Sequence, residues 1–110
     1  KHKQSVIAGL AESQRPVYAW GIGREFLYLY EAAGLKHCNI VGLIDSNEYK
    51  QSNYLLDGRK IVDRDLLKES TIGATLLITA MAHIEAIKAD LDSMGYRGEI
   101  MELSKSGERK

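Results

Sequence analysis

The stretch Val17-Tyr18-Ala19-Trp20-Gly21-Ile22-Gly23, continued by Arg24 to Ala33 and closed by Gly34, decides the fold. Pro16 opens an apolar run too short for a helix, and Gly21-Ile22-Gly23 ends it. The period then changes to 3.6, with Ile22, Phe26, Leu29, Tyr30 and Ala33 on one face and Gly34 where a left-handed residue stops a helix. The segment reads as strand, Gly-x-Gly turn, helix. Such a turn lets the backbone fold tightly and lets an anion come close, while free N–H groups and the helix dipole favour negative charge.

Outward from this unit the pattern repeats. Asn39 to Ile44 is a second apolar run, buried on both sides and therefore parallel, and Asp45-Ser46-Asn47 ends it with turn chemistry. Cys38 is read with this buried strand. Glu48 to Asp57 is polar without a clean period and is expected to be a loop. Gly58 to Val62 supplies a short edge strand, after which Asp63 caps one or two helical turns through Leu66, Leu67 and Lys68. Thr75 to Thr79 is the central strand; Ile84, Ile87, Leu91 and Met94 follow at helical spacing up to Gly95; Glu99 to Leu103 alternates as an edge strand does. Ahead of all this, Ser5 to Ser13 carries Val6, Ile7, Leu10 and Ala11 on one helical stripe. Strands alternating with helices require crossovers and a parallel sheet covered on both faces.

The 110 residues, with 15 Lys+Arg against 15 Asp+Glu, make one ordinary domain, large enough to bury a core without staples. A lone cysteine forms no intrachain disulfide and fits a reducing compartment. Zero net charge argues against nonspecific binding to nucleic acid or an acidic membrane. No apolar run is long enough to span a bilayer, and Lys1-His2-Lys3 has no apolar region behind it, so a cytoplasmic location is expected. A start at Lys and a polar end suggest a piece of a longer protein: residues 1–15 a leading helix or linker remnant, 16–104 the domain, 105–110 a polar tail.

In an open parallel sheet, ligands bind beyond the carboxyl ends of the strands, here Gly21-Ile22-Gly23, Asp45-Ser46-Asn47 and Thr79-Ala80-Met81. Asp45 stands about 20 positions beyond the glycine turn, near the spacing of an acid that binds ribose hydroxyls. Phe26 occupies the position of a third glycine, which implies either a wider helix-to-strand separation or a ring tucked into the core. Arg24, in the first helical turn, is either a phosphate partner or an exposed side chain, and Trp20 is read as core before pocket. Lys50 is expected to be solvated, and His83, on the ligand side of the sheet, is read as an ordinary helix-opening residue before a ligand contact. Catalytic candidates are few. No Tyr-x-x-x-Lys pair and no phosphate-loop motif occurs, His37 and Cys38 on one strand would face opposite ways, and three histidines and one cysteine lack metal-ligand spacing.

Together, Val17 to Gly23, Ile40-Val41-Gly42-Leu43-Ile44-Asp45, Tyr49-Lys50-Gln51, Gly58 to Val62 and Leu77 to Met81 resemble a Rossmann-like domain attached to bacterial carbohydrate enzymes. That domain is found at the C-terminus of sugar C-methyltransferases and near glycosyltransferases, and is similar to the N-terminal part of polysaccharide-biosynthesis epimerases. The resemblance covers about residues 16 to 103. It implies a nucleotide or nucleotide-sugar site, with NAD as one occupant, in which Gly21 and Gly23 match the glycine turn, Asp45 the acid after the second strand, and Thr79, Ala80 and Met81 the loop after the fourth; Ile22, Arg24 and Ser46 beside them complete the candidate binding residues, and no metal is expected.

The expected architecture is α/β, a Rossmann-like open parallel sheet of about five strands in the order 3-2-1-4-5 with helices on both faces. The expected function is a nucleotide- or nucleotide-sugar-binding accessory domain of a larger transferase, itself not catalytic. A ligand-free assembly or homodimerisation module, docking on other domains of the parent chain, and a fragment of an NAD-dependent sugar epimerase or dehydratase stand as alternatives.

Overall fold

Continuous apolar runs lie side by side because each must be covered on both faces, and the helices between them supply that cover. The computed structural model describes residues 2–68 and 73–103. Within these, β1 (Val17–Trp20), β2 (Ile40–Ile44), β4 (Arg59–Val62), β5 (Thr75–Ile78) and β6 (Glu99–Glu102) pair in parallel, and β3 (Leu55–Leu56) pairs antiparallel with β4. The sheet order is β3-β4-β2-β1-β5-β6. The helices are α1 (His2–Ser13), α2 (Arg24–Ala32), α3 (Glu48–Asn53) and α4 (Ile84–Met94), with 3-10 turns at Leu35–His37, Arg64–Lys68 and Met81–His83.

Three expectations need correction. The sheet of the described residues has six strands rather than five and is mixed rather than all parallel. The extra strand comes from a hairpin whose turn residues, Asp57 and Gly58, both adopt positive φ, the geometry that matches the twist of two adjoining strands. The stretch 48–57, expected to be a loop, holds α3 and β3. Asn47 starts that helix, its side chain accepting the N–H of Lys50 at 3.1 Å; the helix buries no residue, so no apolar period marks it. His37 and Cys38 do not share a strand: His37 ends a 3-10 turn and Cys38 precedes β2.

Side chains alternate along each strand and feed two cores. One face packs Val17, Ala19, Leu43 and Leu77 against α1 and α2, burying Ile7, Leu10, Phe26, Leu29 and Leu35. The other packs Trp20, Ile44, Leu76 and Ile78 against Leu67 and the Ile87 and Leu91 of α4. The Phe26 ring is fully enclosed, so the missing third glycine is replaced by a core aromatic at the root of α2. Leu103, just past β6, is likewise fully buried and donates its N–H to Ile78 O at 2.9 Å.

Candidate functional site

The carboxyl ends of β1, β2 and β5 meet around the Gly-x-Gly turn, and its two glycines differ in kind. Gly21 has φ +96°, donates its N–H to Ile44 O at 2.8 Å, and would put a Cβ 2.8 Å from the Ala80 methyl. Its lack of a side chain is demanded by the backbone and by the close approach of the loop after β5. Gly23 is extended, at φ −112° and ψ −163°, a conformation open to any residue, and a Cβ there would meet only Glu25 Oε1 at 3.9 Å. It is the N-cap of α2 and offers no side-chain cap, at a position where Ser, Asp or Asn would stabilise the helix. Nothing in the packing accounts for a glycine at 23, and the space left free opens onto a cleft.

That cleft has a volume of about 700 Å³. Its walls are Trp20, Gly21 and Gly23 from the β1 end, Asp45, Ser46 and Asn47 from the β2 end, Lys50 from α3, Ala80 beyond β5, His83 from the 3-10 turn ahead of α4, and Ile87 and Asp90 from α4. Trp20 is both core and wall, being almost fully enclosed.

Asp45 is the hub. Its Oδ2 accepts the Ile22 N–H at 2.9 Å and its Oδ1 the Asn47 N–H at 2.9 Å, while the Lys50 ammonium lies 3.4 Å from Oδ2 and donates to Ile22 O at 2.7 Å. Gln51 Nε2 donates to the Asp45 carbonyl at 2.7 Å. The carboxylate thus braces the glycine turn against the β2 end. Two acceptor sites per oxygen leave one on Oδ1 for a hydroxyl. Lys50, expected to be solvated, is instead pinned across the turn with its side chain only 31% exposed. The signal for it was local: a capping Asn three residues earlier starts a helical turn that sends Lys50 back over the turn.

The remaining expected site residues fall into different places. Ile22 is buried and reaches the site only through its backbone, whose N–H and C=O are both engaged. Thr79 is buried and donates to Gly21 O at 3.3 Å, tying the β5 end to the turn rather than facing the cleft. Ser46 and Ala80 line the cleft. Arg24 is exposed and faces away, onto a neighbouring notch. Met81 opens a 3-10 turn, and its side chain lies outside the described ones. His83, read first as an ordinary helix-opening residue and second as a ligand contact, lines the cleft, and Asp90, which no motif marks, joins it through the docking of α4.

The cleft therefore carries both signs of charge. Asp45, Glu25 and Asp90 face Lys50 and the bare N–H groups of α2, so an anion is favoured only near Gly23 and Lys50, and hydroxyl donors are favoured elsewhere. Among the described residues no group of His, Cys, Asp and Glu gathers as a metal site, and no helix is long and apolar enough to cross a membrane. Residues 13–101 match the family model described as C2185-like, N-terminal. No curated protein and no solved structure matches the chain.

Proposed function

The chain belongs to the C2185-like N-terminal family, whose matched segment runs from the last residue of α1 into β6 and takes in the whole cleft, and we propose that this cleft binds a nucleotide or nucleotide-linked sugar. On this reading the domain is Rossmann-like, its five parallel strands forming the doubly wound core and β3 an added edge. It serves as a cytoplasmic accessory module of a larger sugar or polysaccharide-biosynthesis enzyme of methyltransferase or glycosyltransferase type.

Gly23 is the observation that carries the reading. A residue that the fold does not require to be glycine, placed at the uncapped start of α2 and facing a cleft, is what a phosphate seated on backbone N–H groups needs. Lys50 adds a positive charge beside it, and Asp45 Oδ1 keeps an acceptor for a ribose or sugar hydroxyl. NAD and nucleotide sugars share these features.

Thermal shift and calorimetry with ADP, UDP, NAD and UDP-glucose test this, alongside Gly23→Ser. A ligand at 100 times its Kd should stabilise the native protein by about 2.7 kcal/mol. Gly23→Ser should fold at least as stably as the native protein, through its new cap, and lose that ligand effect. No shift at millimolar ligand, or equal binding by Gly23→Ser, defeats the reading.

A ligand-free assembly module is favoured by one feature: Leu55, 60% exposed, sits on the β3 edge of the sheet. A homodimer in sedimentation, lost in Leu55→Asp with no nucleotide bound by either protein, would support it.

A further inference from the structure

Gly23 and Lys50 belong to two concavities at once. Behind the cleft, on the outer side of the glycine turn, lies a shallow notch of about 530 Å³ formed by Ile22, Leu27, Tyr28 and Tyr54, with Arg24 at its rim. Tyr28 is 60% exposed and Tyr54 37%, although they come from different elements, α2 and the end of α3. Arg24 and Tyr28 stand one helical turn apart on α2, off the face that buries Phe26, Leu29 and Tyr30. A bare glycine and a lysine thus separate a chamber lined by carboxylates from one lined by aromatic rings.

We propose that the notch receives a hexopyranose joined through a diphosphate to a nucleoside held in the cleft, an inference that rests on the nucleotide-binding reading above. The bridge is set where the two chambers touch. The Lys50 ammonium has three N–H donors, of which Ile22 O and Asp45 Oδ2 take two, leaving one for a phosphate oxygen. Gly23 has no side chain to block the passage. In the notch, tyrosine rings offer an apolar face to the C–H side of a pyranose while their hydroxyls and the Arg24 guanidinium meet its O–H groups. The notch is open on its outer side, which suits a ring that keeps part of its hydration rather than a planar base that needs both faces covered.

Calorimetry with UDP, UDP-glucose, ADP and NAD on the native protein and on a Tyr28→Ala/Tyr54→Ala double variant decides the matter. The native protein should hold UDP-glucose about tenfold more tightly than UDP. The double variant should bind UDP as the native protein does and lose the gain from the hexose. Both rings are partly exposed, so truncation should spare the fold, which an unchanged Tm without ligand verifies. Saturation-transfer NMR on the native protein gives an independent readout: irradiating the tyrosine protons should reach the hexose C–H protons. Equal affinity for UDP and UDP-glucose, a hexose gain that survives in the variant, or a gain only for NAD over ADP overturns the notch while leaving nucleotide binding in place. Failure to bind UDP, ADP, NAD and UDP-glucose alike removes both readings together.

Discussion

The Asp45 carboxylate accepts the backbone N–H of Ile22 at 2.9 Å across 23 positions of the chain, so the acid at the end of β2 holds the shape of the turn at the end of β1. Asp45→Ala strands two N–H groups, those of Ile22 and Asn47, and frees the Lys50 ammonium. It should cost about 1–3 kcal/mol in urea denaturation. Asp45→Asn keeps one acceptor oxygen and should lose less. An Asp45→Ala protein as stable as the native one would show that the contact is incidental.

The two glycines of the turn should respond in opposite ways. Gly21→Ala forces a side chain onto a φ of +96° and against the Ala80 methyl, and should cost about 2–4 kcal/mol. Gly23→Ala meets neither obstacle and should stay within about 0.5 kcal/mol. Paired melting curves check this; similar losses at both positions would contradict the geometry.

Tyr30 gives the fold an alkaline limit. Burial, followed by the hydrogen bond it donates to Asp57, pushes its phenol from 10.0 up to about 12. The unfolded chain therefore gives up the proton first as pH rises. The stabilisation is complete below pH 10 and is lost between pH 10 and about 12, amounting to about 2 kcal/mol. Tyr30→Phe should be less stable at neutral pH and lack this part of the alkaline decline, as stability curves against pH will show.

Cys38 should be silent in the native protein. It is 6% exposed, its Sγ lies 3.7 Å from Ile7 O, and burial raises its pKa, so little thiolate is available. Ellman's reagent at pH 8 should label it only with unfolding, and rapid labelling of the folded protein would mean that α1 undocks readily.

What was legible in the chain was whatever burial imposes. Leu76 to Ile78 and Val17 to Trp20 are apolar without interruption because both faces are covered, and α2 shows its period because Phe26, Leu29 and Tyr30 are enclosed. Elements that bury little leave no such mark. The α3 helix rests on a cap and has no buried residue, and β3 is two residues long with Leu55 exposed, so the mixed edge of the sheet was hidden in a polar stretch. The glycine turn and Asp45 were visible as types and spacing, but their division of labour was not. Whether an Asp faces a ligand or its own backbone depends on angstroms that pattern does not encode. Lys50 was misplaced for the same reason: the reach of a long side chain is decided by the turn it crosses.

The segment that identifies the family and the unit that folds as one body do not coincide. The family match begins at residue 13 and ends at 101, yet Ile7 and Leu10 precede it and Leu103 follows it, all three buried. A fragment trimmed to the recognisable borders would leave Leu35 and Cys38 without their cover on one side and Ile78 O without its donor on the other. Such a fragment would expose a greasy flank and should aggregate.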